Sequence, residues 1–448
     1  MDRRDFIRAL GAAALTQKLR SQNTCPDAGR KADFKLEAGR VTVDLAPGKS
    51  VKTLGYNGSA PGPILRMKEG QAVTIDVVNK TDAVEIVHWH GLHIPSDVDG
   101  STEEGTPAVA PGECRRYRFL PAPSGTRWYH THVQAMRNLN RATYTGQFGF
   151  LYIEPKNDPG NYDQEVFLAF KEWDPYFSSM GQDEGIEVAY KRFSINGHAL
   201  GHGDPIRVKQ GQRIMLRMLN ASATMQRGIA FAGHTFGVVA MDGNALPAVK
   251  AVSALELGPA ERIDAIVEMN NPGIWILGAR DAHDRQAGMA IAVEYADRTG
   301  APVWLAASDE RWDYTMFGAS ATRAEEAELV PLVFERKFVG RKWVDNWTIN
   351  GKMFPKTDPI QVKEGRRYRL AFDNRSDEAH PVHLHRHTFE LTKVAGVPTS
   401  GVFKDVVTVG PRSQVEVDFV ANNPGPTLFH CHQQMHMDFG FMTMLQYL

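Results

Sequence analysis

The sequence predicts an all-β protein of three consecutive sandwich domains with Greek-key connections. Apolar and polar residues alternate over short stretches that are rich in β-branched and aromatic side chains and are broken by Pro/Gly turns. One pattern also occurs three times: an Asn-Gly pair is followed by a strand-like stretch that ends in asparagine. The pairs begin at Asn57, Asn196 and Asn350, and the stretches end at Asn79, Asn220 and Asn374. Three copies predict three domains of one fold.

A second element recurs downstream of each copy and supports the same division. Proline-led stretches at 111–119, 259–267 and 411–419 precede strand-like segments at 128–132, 274–277 and 428–432. The predicted parts are an N-terminal segment (1–31), domain 1 (32–155), domain 2 (160–298), a linker (299–329) and domain 3 (330–448). The linker is polar and poor in strand signals, and it has room for a short helix.

Length and composition agree with a globular protein of several domains. A chain of 448 residues exceeds the size of one ordinary core. Hydrophobic residues make up 42% of it and the formal net charge is −1, whereas a nucleic-acid partner would require a basic excess. No uncharged apolar run approaches the roughly 20 residues of a membrane helix, so no membrane span is expected.

The N-terminus resembles a twin-arginine export signal. Arg3 and Arg4 precede Phe6-Ile7 and a short stretch of small apolar residues. This pattern favours a periplasmic or secreted protein. Lys18 follows the apolar stretch closely and no A-x-A cleavage site is obvious, so an uncleaved or cytoplasmic N-terminus is the alternative.

Three cysteines are too few for a disulfide scaffold. Cys25 and Cys114 could pair in an oxidising compartment, but the sequence does not give their separation, and unpaired thiols are the favoured expectation. Cys431 lies between two histidines and is assigned to a metal.

Four clusters hold eleven of the sixteen histidines. They are His88-Trp-His90, His130-Thr-His132, the run His380, His383, His385 and His387, and His430-Cys-His432 with His436. In a strand, residues i and i+2 share a face, so each His-x-His pair offers two imidazoles to one side. Chance could explain one such pair, but not four clusters at repeated positions of the first and third units.

The donor types favour copper over zinc. Imidazoles with a single thiolate suit copper, and a His2Cys set with a weak axial neighbour is typical of an electron-transfer copper site. Structural zinc sites use four ligands and usually two or more cysteines, so this many histidines exceed what they need.

In order and spacing, the four motifs resemble those of three-domain multicopper oxidases of the laccase and cuprous-oxidase kind. The resemblance covers nearly everything after residue 30. It implies three cupredoxin-like domains and four copper ions per chain. It also implies that a reductant is oxidised one electron at a time at a type 1 copper. O2 would then be reduced to water by four electrons at a trinuclear cluster between domains 1 and 3.

The resemblance assigns a ligand set to each copper. Type 1 copper would be held by His380, Cys431 and His436, type 2 by His88 and His383, one type 3 copper by His90, His130 and His432, and the other by His132, His385 and His430. Without the type 1 ligands, eight imidazoles remain, the number that one two-ligand site and two three-ligand sites require.

The remaining histidines are expected to bind no metal. His387-Thr-Phe matches His234-Thr-Phe of the second unit, so both histidines are predicted to be structural. The others are His93, His198, His202 and His283. Domain 2 has no His-x-His pair, and it is therefore predicted to bind no copper and to act as a spacer.

Two further residues take roles from the resemblance. Phe441 occupies the axial position of the type 1 site, where a noncoordinating side chain favours Cu(I) and raises the reduction potential; Met442 is the alternative. Asp99 matches the acid that relays protons in the family. The alternative is a structural role for Asp99 in a surface turn. At the position of the family's second relay acid this chain has Met437, and Asp438 is the alternative candidate for that role.

The substrate is less constrained by the sequence. Members of the family that act in copper tolerance carry a methionine-rich insertion. No such run is visible here, which favours phenols and aromatic amines as substrates. The alternative is oxidation of Cu(I), Fe(II) or Mn(II) in metal tolerance, and the second alternative is a noncatalytic copper-binding protein. A monomer is expected, because family members of three domains keep both halves of the cluster in one chain.

Overall fold

The computed structural model describes residues 25, 31–156, 161–179, 185–308, 312–319, 326–339 and 344–448. The predicted export signal lies outside these ranges. Of the predicted N-terminal segment (1–31), the structure describes only Cys25 and Lys31. None of the helices within the ranges has the length and apolar content of a membrane span.

The first unit is a sandwich of two four-stranded sheets, with orders β2-β1-β4-β6 and β3-β8-β7-β5. Its strands are β1 (Phe34–Ala46), β2 (Lys49–Tyr56), β3 (Leu65–Lys68), β4 (Val73–Asn79), β5 (Val87–His90), β6 (Cys114–Phe119), β7 (Gly125–Thr131) and β8 (Phe148–Glu154). A short helix, α1 (Ser96–Asp99), follows β5, and a 3₁₀ helix (Ala142–Tyr144) precedes β8.

The second unit has sheets of six and five strands, with orders β10-β9-β12-β17-β14-β15 and β11-β19-β18-β13-β16. Its strands are β9 (Gln164–Ser179), β10 (Ile186–Ile195), β11 (Ile206–Val208), β12 (Arg213–Asn220), β13 (Arg227–Phe231), β14 (Phe236–Met241), β15 (Asn244–Val252), β16 (Ala254–Leu257), β17 (Arg262–Glu268), β18 (Ile274–Ala279) and β19 (Ala290–Tyr295). Helix α2 (Ala282–Gln286) precedes β19, and a 3₁₀ helix (Tyr314–Phe317) lies between this unit and the next.

The third unit repeats the arrangement, with sheets β21-β20-β23-β29-β25-β26, to which β27 adds beside β25, and β22-β31-β30-β24-β28. Its strands are β20 (Glu328–Lys337), β21 (Asn346–Ile349), β22 (Ile360–Val362), β23 (Arg367–Asn374), β24 (His380–Leu384), β25 (Phe389–Val394), β26 (Val397–Pro398), β27 (Phe403–Lys404), β28 (Val406–Val409), β29 (Gln414–Val420), β30 (Thr427–Cys431) and β31 (Met442–Tyr447). Helix α3 (Gln434–Asp438) joins the last two strands. Three successive two-sheet sandwiches confirm the predicted all-β fold class.

The three sandwiches share their unusual strand pairings. The parallel pairs β1/β4, β9/β12 and β20/β23 occupy equivalent places in one sheet of each unit. The parallel pairs β3/β8, β11/β19 and β22/β31 do so in the other sheets. Parallel neighbours need a crossover connection, so these pairs place the Greek-key crossings at the same points of each unit.

The repeated asparagines have structural roles that recur in each unit. Asn57, Asn196 and Asn350 have positive φ angles of 52°, 53° and 50°, which asparagine tolerates, and each is followed by a glycine with positive φ. The amide oxygens of these asparagines accept backbone hydrogen bonds from a neighbouring strand at 2.7, 2.7 and 2.8 Å. The Asn-Gly pairs therefore form turns that are fastened to the adjacent strand.

A disulfide joins Cys25 to Cys114 at the start of β6, with a Cα–Cα distance of 4.9 Å. The expectation of two unpaired thiols is therefore wrong. The reason for the error is that 89 residues separate the two cysteines in the sequence, which carries no information on their separation in space.

We expect Asn220→Ala to lower the free energy of unfolding by about 1–3 kcal/mol, because it leaves buried carbonyls without donors. The fully buried Asn220 amide donates to the carbonyls of Met225 and Leu257 at 2.8 and 2.9 Å. Thermal and urea unfolding would measure the change. The exposed Asn270 of the same unit provides the control, since Asn270→Ala should change stability by less than about 0.5 kcal/mol. Equal effects of the two substitutions would contradict this role of Asn220.

Candidate metal centres

Four strands from two units bring eight histidines together. In the first unit, β5 pairs with β7 so that His88 lies opposite His130. In the third unit, β24 pairs with β30 so that His383 lies opposite His430. Period-2 alternation turns both members of each His-x-His pair to the same face. All eight imidazoles are buried where the two units meet.

The first group joins the two units directly. The Nε2 atoms of His88 and His383 lie 3.4 Å apart. The Nδ1 atom of His88 lies 2.9 Å from the Asp99 carbonyl oxygen, and that of His383 lies 2.7 Å from the Asp405 carbonyl oxygen. An Nδ1–H that donates to a carbonyl leaves the Nε2 lone pair free. Both free lone pairs therefore face a common point.

The second group consists of His132, His385 and His430. The Nε2 atom of His430 lies 3.5 Å from that of His132 and 3.1 Å from that of His385. His430 and His385 point their Nδ1 atoms away from this point, toward the Cys431 carbonyl oxygen and the Asp99 carboxylate, both at 2.9 Å. Three ring nitrogens thus converge within the reach of one metal ion.

The third group consists of His90, His130 and His432, whose ring centroids lie 5.1 to 5.7 Å apart. His90 Nδ1, His130 Nε2 and both ring nitrogens of His432 are buried and have no hydrogen-bond partner among the residues that the structure describes. Buried polar atoms normally find a partner, so this concentration of unsatisfied nitrogens requires an explanation. A metal ion bound by these nitrogens supplies it, and the residues present therefore fit a metal.

Burial and neighbouring charges keep most of these imidazoles neutral, which metal binding requires. Burial and the neighbouring imidazoles hold the pKa values of His90, His132, His383 and His432 well below the ordinary range. The pKa of His385 is lowered to about 4, mainly by burial. A neutral imidazole has one nitrogen without a proton, and that nitrogen can bind a metal.

A separate site lies in the third unit, where Cys431 approaches two further histidines. Cys431 Sγ lies 3.5 Å from His436 Nδ1 and 3.8 Å from His380 Nδ1, and the two Nδ1 atoms are 3.1 Å apart. Burial raises the pKa of the Cys431 thiol, so the thiolate needs a cation to stabilise it. The resulting set of two imidazoles and one thiolate is the one that blue copper sites use.

Comparison with known proteins identifies the family. Three models described as multicopper oxidase match residues 37–158, 170–296 and 330–447. The chain belongs to the multicopper oxidase family. It is an oxidoreductase whose sites suit copper.

The relatives agree with this membership. The multicopper oxidase MmcO of Mycobacterium tuberculosis is 31% identical over 98% of this chain and 92% of its own length. A laccase of Pycnoporus cinnabarinus is 27% identical over 93% of this chain and 89% of its own length. A multicopper oxidase structure from Pseudomonas thermotolerans aligns with a TM-score of 0.74 and 23% identity over 93% of this chain and all of that one. The structural likeness shows the shared three-domain fold.

The candidate type 1 ligands are oriented by residues that sequence reasoning missed. Ser376 Oγ lies 2.8 Å from His380 Nε2, and a Glu378 carboxylate oxygen lies 3.2 Å from His436 Nε2. The Trp347 ring packs 4.1 Å from His436 and 4.8 Å from His380, centroid to centroid. Ser376 and Glu378 lie just before β24, so their position next to His380 could have identified them. Trp347 is distant from both ligands in the sequence, and no motif links it to them.

The structure places Phe441 beside the candidate type 1 ligands. Its ring is fully buried, lies 4.9 Å from the His380 ring and packs in the same core as Cys431. Met442, the alternative axial residue, packs instead with Leu428 and Met437 in a separate cluster.

Asp99 is buried beside the histidines with a second acid, Glu104, that sequence reasoning missed. One Asp99 carboxylate oxygen lies 2.9 Å from His385 Nδ1 and 3.2 Å from His88 Nδ1. Glu104 hydrogen-bonds Asp99 and also accepts a hydrogen bond of 2.7 Å from the Leu428 amide. The buried position contradicts the alternative surface-turn role of Asp99.

The two acids differ in their protonation state. Burial opposes ionisation of Asp99, but His88 and His385 hold its pKa below the ordinary value. Burial and the Asp99 charge both raise the pKa of Glu104 well above its ordinary value. At neutral pH, Asp99 is therefore ionised and Glu104 carries a proton.

Asp438 lies away from the candidate ligands. Its carboxylate accepts hydrogen bonds from the backbone amides of Ala135 and Met136 at 3.0 and 2.7 Å and from the Gln434 side chain at 3.1 Å. Burial raises its pKa to about 7. These contacts join α3 to the first unit, and none of them reaches a candidate ligand.

His387 and His234 have matching environments, as their shared His-Thr-Phe motif suggests. His387 Nε2 bonds the Tyr447 hydroxyl at 2.8 Å, and His234 Nε2 bonds the Tyr295 hydroxyl at 2.7 Å. Their Nδ1 atoms bond the carbonyl two residues earlier in each case. Both histidines therefore have structural hydrogen bonds. His93 similarly bonds Thr388 Oγ1 at 2.9 Å.

Because Glu104 is neutral, we expect Glu104→Gln to retain the copper content and thermal stability of the wild type. The amide can still accept from Leu428 and donate to Asp99. Glu104→Ala, in contrast, should cost about 1–3 kcal/mol by leaving the Leu428 amide without its acceptor. Copper analysis and thermal unfolding would test both variants. A loss of stability in Glu104→Gln as large as in Glu104→Ala, or a loss of copper in Glu104→Gln, would contradict the assignment of the proton to Glu104.

Proposed function

We propose that this protein is a laccase-like oxidase holding four copper ions. It would oxidise phenols and aromatic amines by single electrons and reduce O2 to water by four. One observation carries this proposal. A buried site of two histidines and one cysteine (His380, Cys431 and His436) lies beside eight buried imidazoles at the boundary of two units. Copper bound there would accept electrons from the reductant and supply them to O2.

The proposed ligand sets are those that the family resemblance implies, and the convergence of the ring nitrogens supports them. We assign type 1 copper to His380, Cys431 and His436, type 2 to His88 and His383, and the type 3 pair to His90, His130 and His432 and to His132, His385 and His430. Domains 1 (32–155) and 3 (330–448) would share the cluster. Domain 2 (160–298) would hold none of these ligands.

Cys431 connects the two kinds of site through the chain itself. It is the last residue of β30 and is bonded directly to His430 before it and His432 after it, whose side chains face away from it. One end of this short covalent path lies among the type 1 ligands and the other ends lie among the cluster ligands. Electrons entering near Cys431 would need no other route to the cluster.

Asp99 and Glu104 would manage protons beside the cluster, since reduction of O2 to water consumes them. Asp99 holds His385 through Nδ1, and Glu104 holds a proton on its carboxyl group toward Asp99. Glu104 would take the role of the family's second acid, whose position holds Met437 in this chain.

Reductants would donate electrons near His436. The Nε2 atom of His436 contacts Glu378, whose side chain is 25% exposed, and Glu378 is also paired with Arg336 at 3.1 Å. A carboxylate already paired with two basic groups is a poor ligand for a metal ion, which supports aromatic reductants. Oxidation of Cu(I), Fe(II) or Mn(II) stays the second candidate, because Asp377, next to Glu378, adds a carboxylate that is 77% exposed although it pairs with Arg412.

The protein would act after export, in the periplasm or outside the cell. Support comes from the twin arginines of the sequence and from the Cys25–Cys114 disulfide, since disulfides persist in oxidising compartments. We propose a monomer, because both halves of the candidate cluster belong to one chain.

The test is turnover of copper-loaded protein with a phenol, Cu(I) and Fe(II) in parallel, measured as oxygen uptake. We expect four coppers per chain, a blue band at about 600 nm, and the highest kcat/KM with the phenol. Cys431→Ser should abolish the band and turnover while most cluster copper stays bound. A blue protein without oxygen uptake would favour the noncatalytic copper-binding alternative, and preference for a metal ion would favour the metallo-oxidase.

Phe441→Met should lower the reduction potential of the type 1 copper, because a thioether can coordinate where the phenyl ring cannot. Redox titration of the blue band would measure it. Met442→Leu is the matched control and should leave the potential unchanged, since Met442 packs in a different cluster. An unchanged potential in Phe441→Met would contradict the axial assignment.

A further inference from the structure

Six charged side chains are buried together where the three units meet. The first unit supplies Arg127, the second Asp242, Glu261 and Arg262, and the third Lys404 and Asp405. Each of these side chains is at most 2% exposed. The three positive and three negative charges balance, which a buried cluster requires. An adjacent apolar cluster, including Trp128, Leu219 and Val406, joins the same three units.

Asp405 connects this charged cluster to two candidate copper ligands. Its carboxylate Oδ1 lies 3.0 Å from His90 Nε2, and its backbone carbonyl lies 2.7 Å from His383 Nδ1. Both ring nitrogens must donate in these bonds. His90 is thereby left with a free Nδ1 and His383 with a free Nε2. Asp405 therefore determines which nitrogen two histidines from different units offer to the cluster.

Arg262, from the second unit, holds the Asp405 carboxylate with both ends of its guanidinium. Its two terminal nitrogens lie 2.7 Å from Oδ1 and 2.6 Å from Oδ2. Arg127 adds a longer contact of 3.3 Å to Oδ2. A planar guanidinium opposite a carboxylate fixes the plane of that carboxylate, which a lysine ammonium does not do.

The second unit also holds the backbone of Asp405. Asp242 accepts hydrogen bonds from the amides of Asp405 and Val406 at 3.3 and 3.1 Å, and from the Arg262 amide at 2.9 Å. The carboxylate and the backbone of Asp405 are thus both held by the second unit, next to His90.

We propose that Arg262 is a positioning residue for the copper cluster. Through its paired bonds to Asp405, the unit that supplies no ligand orients His90 and His383. Domain 2 is then more than the predicted spacer, because it sets the geometry of the type 2 site and of one type 3 site. The inference rests on the ligand sets given under the proposed function.

A second arginine on a neighbouring strand provides a matched control. Arg217 is buried, lies 2.6 Å from Asp264, and bonds the Tyr152 hydroxyl of the first unit at 2.9 Å. It therefore also joins the first two units through a buried ion pair. Its hydrogen bonds, however, reach no candidate ligand.

The experiment compares copper-loaded Arg262→Lys and Arg217→Lys with the wild type. Arg262→Lys should alter the electron paramagnetic resonance signal of type 2 copper and lower the affinity for cluster copper by about 10–100-fold, measured by competition with a chelator. Its blue band should be unchanged, since the type 1 ligands do not contact Asp405. Arg217→Lys should leave both the resonance signal and the copper affinity as in the wild type, whatever its effect on thermal stability.

A wild-type resonance signal and copper affinity in Arg262→Lys would overturn the proposal, and so would equal changes in the two lysine variants. If Arg262→Lys fails to fold, Asp405→Asn replaces it. That variant keeps the side-chain size but removes the charge, and it should show the same altered signal and weaker copper binding. Wild-type behaviour of Asp405→Asn would overturn the proposal. Absence of any type 2 signal from the wild type would instead overturn the proposed function itself.

Discussion

Desolvation of the imidazoles is the interaction on which the candidate centres depend. Between β5 and β7 of one unit and β24 and β30 of another, rings that would be solvated in separate units lie next to each other. Burial makes protonation costly, and six of the eight rings direct one ring nitrogen toward a fixed acceptor. The acceptors are mostly backbone carbonyls, together with Asp99 and Asp405. The outer contacts thus determine where the metal-binding lone pairs point.

Charged side chains lie on two sides of these neutral rings. Asp99 lies on one side, beside the protonated Glu104, and Asp405 lies on the other, beside Arg262 and Arg127. A carboxylate behind an imidazole increases its basicity as a ligand, while the arginines prevent that carboxylate from taking up the proton. The unit without ligands therefore belongs to the electrostatics of the centre.

Much of the site could be predicted because its signals are local. Strand periodicity puts His88 and His90 on one face, and the Asn-Gly pairs repeat in the sequence as they do in the fold. The missed residues act across long separations: Arg262 meets Asp405 over 143 residues and Glu104 meets His385 over 281. No spacing rule links such pairs, because their contact depends on how the units dock. The same limit explains why the pairing of Cys25 with Cys114 was not expected.

The boundary position of the cluster also constrains the order of events in synthesis. His88 emerges from the ribosome long before His383, its neighbour at 3.4 Å, which lies 295 residues later. The third unit must be completed and docked before the two halves can close around a metal. An incomplete chain therefore presents only half a binding site, and tight retention of copper becomes a marker of a finished molecule.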